Sequence, residues 1–180
     1  ASHSVAINIA SLFFMVPLAI GLAAATRVGN LIGEKNPHQA KIASHSTIFL
    51  CIVGALMNVL IILIFGSNIV SLYTTELPVF ELALSLIIFA AIFQIPDALS
   101  FSAIGTLRGH KDTFATMLNL VISFWFFAIP VGVFLAFNEY TGIPNEADGM
   151  WIGMIAGLSL SAILNLRRLK QKKDELKKLF

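Results

Sequence analysis

Five stretches of this chain run long enough to cross a bilayer with almost no charge, and that repetition constrains the fold more than anything else. They cover residues 4–26, 44–68, 82–107, 113–137 and 149–166, and Asp97 is the only charged residue in any of them. A membrane-spanning helix needs about 20 mostly apolar residues, each rising about 1.5 Å. Buried helices of soluble proteins seldom stay uncharged for so long. Spanning strands would be shorter and would alternate polar with apolar residues. The expected fold is an all-α polytopic bundle of five transmembrane helices. With 57% hydrophobic and 12% charged residues, composition agrees and excludes disorder, coiled coil and nucleic-acid-binding arms. The lone Cys51 excludes a disulfide framework and reads as a small apolar residue.

Turn chemistry separates the spans. Gly33–Pro37, Tyr73–Pro78, Arg108–Asp112 and Asn138–Glu146 each mix glycine or proline with polar residues. The segment 167–180 reads as a basic, helix-like tail with apolar points at Leu169, Leu176 and Leu179. If the five spans alternate, charge sorts completely. All 12 Lys and Arg residues lie at one end: Arg27, Lys35 and Lys41, then Arg108 and Lys111, then seven in the tail. The other end holds Glu76, Glu81, Glu139, Glu146 and Asp148 instead. The positive-inside rule makes the basic end and the C-terminal tail cytoplasmic, with the tail lying near anionic lipid. It places Ala1 outside. No initiator Met or basic region precedes the first span, so Ala1 does not open a signal peptide. The expectation is a C-terminal fragment with at least one earlier span missing.

Asp97 is the residue that asks for a function. It lies roughly 11 residues, about 16 Å of helix, from Arg108, and so near mid-membrane. A charged Asp there costs about 2.5–3.5 kcal/mol on insertion scales and normally faces a bundle interior or a wet cavity. No Lys or Arg lies at its depth. It is expected to be protonated, to bind a cation such as Na⁺, or to meet a partner elsewhere. Pro96 beside it would free the Ile92 carbonyl and bend the span. Phe93, Gln94, Ser100 and Phe101, three or four residues away, are expected on the same face, with the aromatic rings suited to an apolar or cationic guest. Asn8, Asn58 and Asn119 read first as hydrogen-bonding glue between helices; Asn8 and Asn119 are also candidates to line a cavity. Pro17 and Pro130 join Pro96 as candidate hinges. Gly149, Gly153 and Gly157 form a small-residue face for close helix contact.

Other patterns fail. Gly29–Lys35 loosely matches a phosphate loop, but it is one residue short between its glycines, lacks the Ser/Thr and follows no strand. His38 and His45 lack further metal ligands. No hydrolase triad or HExxH pattern is present, and no enzyme activity or cofactor is expected.

The loops carry a resemblance. Pro17-Leu18-Ala19-Ile20-Gly21, Arg27–Gly33, Pro37 and Ala40 resemble the eighth helix and following loop of the MATE multidrug and toxic-compound exporters, NorM branch. Ser71–Thr74 resembles the outer end of the ninth helix. Phe93–Ala98 with Gly105–Thr113 resembles the tenth helix and its loop. The resemblance implies a C-terminal lobe running from the eighth to the twelfth helix. It implies a bacterial inner-membrane antiporter that exports amphipathic, often cationic drugs in exchange for Na⁺ or H⁺. It places cation coupling at Asp97, together with a seventh-helix Glu outside this chain. Phe93 stands where some members carry Tyr. A lipid-linked oligosaccharide flippase of related fold is the first alternative, but it would want a basic cavity and no span interior carries Lys or Arg. An intramembrane enzyme would need a partner for Asp97. A non-transporting scaffold would tolerate Asp97→Leu.

Overall fold

A computed structural model describes residues 1–138 and 146–179. The turn expected between the fourth and fifth spans, with Glu139 and the side chain of Glu146, lies outside the described residues, as do the tail side chains from Leu176 onward. The described chain is all helix and turn: α1 (Ser2–Gly33), α2 (Pro37–Ser71), α3 (Leu77–Gly109), α4 (Thr113–Val121), a π-helical segment (Ile122–Ala128), α5 (Ile129–Phe137) and α6 (Glu146–Leu179). Five of the resulting rods are long and apolar enough to cross a membrane, with α4, the π segment and α5 forming one of them. Their outward faces carry large apolar side chains such as Phe49, Ile64, Trp125 and Phe126, each more than half exposed. Such a surface is expected for lipid and not for water.

The helices start and stop for local reasons. Pro37 sits in the first turn of α2, where its missing N–H costs nothing, and Asn36 caps that turn by accepting from Gln39 N at 3.2 Å. Two short turns share one design. Asn36 N donates to Leu31 O at 2.9 Å and Asp112 N to Leu107 O at 3.0 Å, each closing a Schellman-type helix end. The left-handed position in each turn is filled by lysine: Lys35 (φ 54°) and Lys111 (φ 59°). Gly33 and Gly109, the expected helix stoppers, lie two residues earlier, inside their helices.

α3 is the central helix, packed against α1, α2 and α6. Glycine sets its distance from α1. A Cβ on Gly105 would fall inside the contact distance of the Gly21 backbone, so the two helices touch main chain to main chain. The expected glycine face of α6 does the same against the fourth rod, where Gly153 meets Gly132. The main apolar core, including Ile9, Ile62, Leu86, Ile87 and Trp151, joins α1, α2, α3 and α6. Cys51 is fully buried beside Ala55 and Ala98, as a small apolar residue would be.

The prolines act unequally. α1 and α3 continue as single helices through Pro17 and Pro96. Pro130 follows directly on the π segment, whose last bond runs from Ile129 N to Phe124 O. The wider π turn moves the preceding carbonyls away from a ring that would collide with an α-helical one. The basic tail is not a separate unit either: α6 runs unbroken through the expected boundary at residue 166.

Candidate functional site

Asp97 lines a cavity of about 280 Å³ between the helices. α1 contributes Ile7, Ala10, Ser11 and Phe14; α3 contributes Phe93, Asp97 and Phe101; Phe124, Trp151 and Leu158 close the far wall. Asp97 is 2% exposed, and its Oδ2 is buried without a hydrogen-bond partner. The walls are aromatic and interlocked. Phe14 meets Phe101 edge to face with centroids 4.6 Å apart, and Phe93 meets Trp151 at 6.0 Å. Two other polar groups belong to the lining: Ser11 donates to the Ile7 carbonyl at 2.7 Å, and the Trp151 indole Nε1 is buried without a hydrogen-bond partner. A single carboxyl among aromatic rings has the chemistry to hold one cation or the ammonium end of an apolar guest.

The structure brings together only part of the expected set. Phe93 and Phe101 line the cavity with Asp97. Gln94 and Ser100 do not, contrary to the shared face expected for them. Offsets of −3 and +3 swing them about 60° to opposite sides of Asp97, and α3 has a different neighbour on each side. Gln94 turns to α2, where its Oε1 accepts from Asn58 Nδ2 at 3.2 Å; the same amide donates to the Phe13 carbonyl at 3.0 Å. Ser100 turns to α6 and hydrogen-bonds Ser161 at 2.7 Å. Asn119 also lies off the cavity wall, donating to Asn165 Oδ1 at 3.0 Å. Asn8 is exposed and off that wall as well. Asn58 and Asn119 thus do what intramembrane amides commonly do: they tie helices together.

Ser161 and Asn165 are the residues that sequence reasoning missed. Both are fully buried, and Asn165 donates back to Ser161 O at 2.9 Å and to Ser161 Oγ at 3.2 Å. They link α3 to α4 through α6. Their i, i+4 spacing within the fifth span was the available signal.

At the basic end, Asp112 accepts from Arg168 Nε at 2.6 Å and joins the α3–α4 turn to α6. His110, in the same turn, has its Nε2 buried without a partner. Burial, then Lys173 and Lys172, hold its imidazole below the usual value. Among the described residues no cluster of His, Cys, Asp and Glu could hold a metal ion, and His45 Nδ1 bonds the Lys41 carbonyl at 2.8 Å.

Comparison with known proteins agrees with this architecture. The MatE family model matches residues 1–134. The multidrug resistance protein NorM of Vibrio vulnificus is 41% identical over 179 residues, covering 98% of this chain and 39% of that protein. NorM of Photobacterium profundum is 40% identical over 170 residues, covering 94% and 37%. The multidrug resistance protein PmpM of Pseudomonas aeruginosa is 34% identical, covering 94% and 35%. The crystal structure of the eukaryotic MATE transporter AtDTX14 superposes with a TM-score of 0.84 at 27% identity, covering 99% of this chain and 40% of that one. The chain spans less than two fifths of the length of these curated relatives. A family pattern over three quarters of the chain, on a fold shared with a solved member, settles the assignment: the chain belongs to the MATE family and is NorM-like within it.

Proposed function

We propose that this chain forms the C-terminal lobe of a bacterial inner-membrane antiporter that exports amphipathic, cationic drugs in exchange for Na⁺ or H⁺. One observation carries the reading furthest: a buried carboxyl without a partner on Oδ2 opens into an aromatic cavity. Ionised and alone in that setting, Asp97 is expensive, and any cation that reaches it relieves the cost. H⁺, Na⁺ and a drug ammonium therefore compete for one group. That competition is the coupling: the incoming ion discharges the site, and the drug loses its counter-charge. The edge-to-face pairs Phe14–Phe101 and Phe93–Trp151 supply apolar surface for the drug body. The names of the relatives, multidrug resistance proteins, support export of drugs. In this reading the lobe rocks against a partner lobe in alternating access, with bending at Pro96, and the basic end faces the cytoplasm.

The test is drug efflux by the full transporter carrying Asp97→Asn. The amide keeps the size and loses the charge, and charge-assisted bonds contribute about 1.5–3 kcal/mol, so efflux should fall roughly tenfold or more. Transport at the wild-type rate with unchanged ion dependence would overturn the assignment.

A further inference from the structure

The cavity at Asp97 is lined by two buried polar groups that the chain leaves unanswered, and they are opposite in kind. Asp97 is 2% exposed, and its Oδ2 has no hydrogen-bond partner. Trp151 is fully buried and lines the same cavity, and its indole Nε1 has no partner either. A carboxylate oxygen accepts, whereas an indole N–H can only donate. Ser11, the remaining polar side chain of that wall, already donates to the Ile7 carbonyl. Buried polar groups are nearly always paired. Two exceptions on the wall of one cavity point to a guest that supplies both partners.

The indole is braced by other rings. Phe93 of α3 meets it edge to face at 6.0 Å, and His3 of α1 meets it at 5.9 Å. Phe93 lies four residues before Asp97, so this ring contact sits about one helical turn, roughly 6 Å, along α3 from the carboxyl. We propose that Trp151 Nε1 is a second recognition point of the Asp97 cavity: it donates to a hydrogen-bond acceptor on the guest while Asp97 meets the guest's ammonium. The preferred substrate class is then narrower than an amphipathic cation. It is an amine with a carbonyl or ether oxygen a few bonds from the nitrogen. At about 280 Å³ the space lies at the small end of ligand pockets, which suits a compact guest or the head of a longer one. The inference rests on the drug-binding reading of this cavity and adds the substrate class to it.

The experiment is calorimetric binding of two matched probes to the purified full transporter. γ-Dimethylaminobutyrophenone carries an ammonium and a ketone; dimethyl(phenylbutyl)amine has the same skeleton with CH₂ in place of the carbonyl. One net hydrogen bond corresponds to a preference of roughly three- to tenfold for the ketone. Trp151→Phe keeps the aromatic bulk, loses the N–H and should abolish that preference. Trp125→Phe makes the same change at an outward-facing position, 69% exposed, and should retain it. Asp97→Asn should weaken both probes alike, by roughly tenfold or more. Should Trp151→Phe fail to fold, Phe93→Leu removes one ring that braces the indole and should shrink the preference. A preference that survives these changes would overturn the role of Nε1, as would equal losses of both probes in Trp151→Phe. So would equal affinities in the wild type, the result expected where water alone meets the N–H. Wild-type affinity for both probes in Asp97→Asn would overturn the drug-binding reading itself, and this inference with it.

Discussion

Gly105 faces Gly21 so closely that the smallest possible side chain tests the packing of the whole bundle. A Cβ built at Gly105 meets three backbone atoms of Gly21, its O, Cα and C, all closer than real Cβ atoms come to anything. No flexible side chain stands there to swing away. Gly105→Ala can therefore be accommodated only by separating α1 from α3, which also draws Phe14 from Phe101 across the cavity. Overpacking a well-packed site costs about 1–3 kcal/mol, and a site with backbone on both sides belongs at the upper end. At about 2–4 °C per kcal/mol for a protein of this size, melting should drop by roughly 5–10 °C.

Two other glycines supply the calibration. Gly33 has nothing within 4 Å of the built Cβ, so Gly33→Ala should stabilise the helix end by up to about 1 kcal/mol. Gly29, on the same contact with α3, meets the Gly109 carbonyl at an ordinary 3.6 Å and should accept alanine with little change. The assay is thermal unfolding of the purified transporter in detergent, followed by fluorescence. The expected order is Gly33→Ala above wild type, Gly29→Ala near it and Gly105→Ala well below. A Gly105→Ala protein that melts with wild type would refute the main-chain contact between α1 and α3.

Two further perturbations follow from the polar groups. Asn58→Leu removes one amide that serves both the Phe13 carbonyl and Gln94 Oε1. It should destabilise by about 1–2 kcal/mol, above the intramembrane average of about 0.6 because two acceptors are orphaned at once; an unchanged melting point would show the bridge to be idle. His110 predicts a pH dependence. Its imidazole is held below the ordinary value, so the unfolded chain takes up the proton first on acidification. The contribution of the neutral ring is thus intact above about pH 6.5 and is lost as pH falls below that value. Between pH 7 and 5 the wild type should lose more thermal stability than His110→Gln, and parallel curves would contradict this.

Features that need only one dimension were legible in the sequence. Span number follows from uncharged length, and the glycine face of α6 follows from a period of four. Asp97 stood out because a carboxyl inside a span has a cost that sequence alone exposes. What sequence could not say is which neighbour each side chain meets. Gln94 and Ser100 sit within one turn of Asp97, yet α3 is enclosed by helices on three sides, so a swing of about 60° sends them to α2 and α6. Ser161 and Asn165 pass for ordinary polar residues until Ser100 and Asn119 arrive from other helices. Pro130 signals a disturbed helix but not its form, because a kink and a π turn solve the same steric problem.

Asp112 shows how a tertiary partner overrides a local rule. Its position before α4 is that of an N-cap, where a carboxylate would accept a backbone N–H and contribute about 1 kcal/mol. No cap bond forms. Arg168, far along the chain, takes Oδ2 at 2.6 Å, and the carboxylate is only 11% exposed. A charge-assisted bond at a half-shielded site outweighs a cap bond that water or a neighbouring carbonyl can replace. The consequence reaches beyond α4. With Asp112 spent on Arg168, the turn between α3 and α4 is held to α6 by a side-chain ion pair in place of a cap. The missing cap and the tie between turn and helix have one cause.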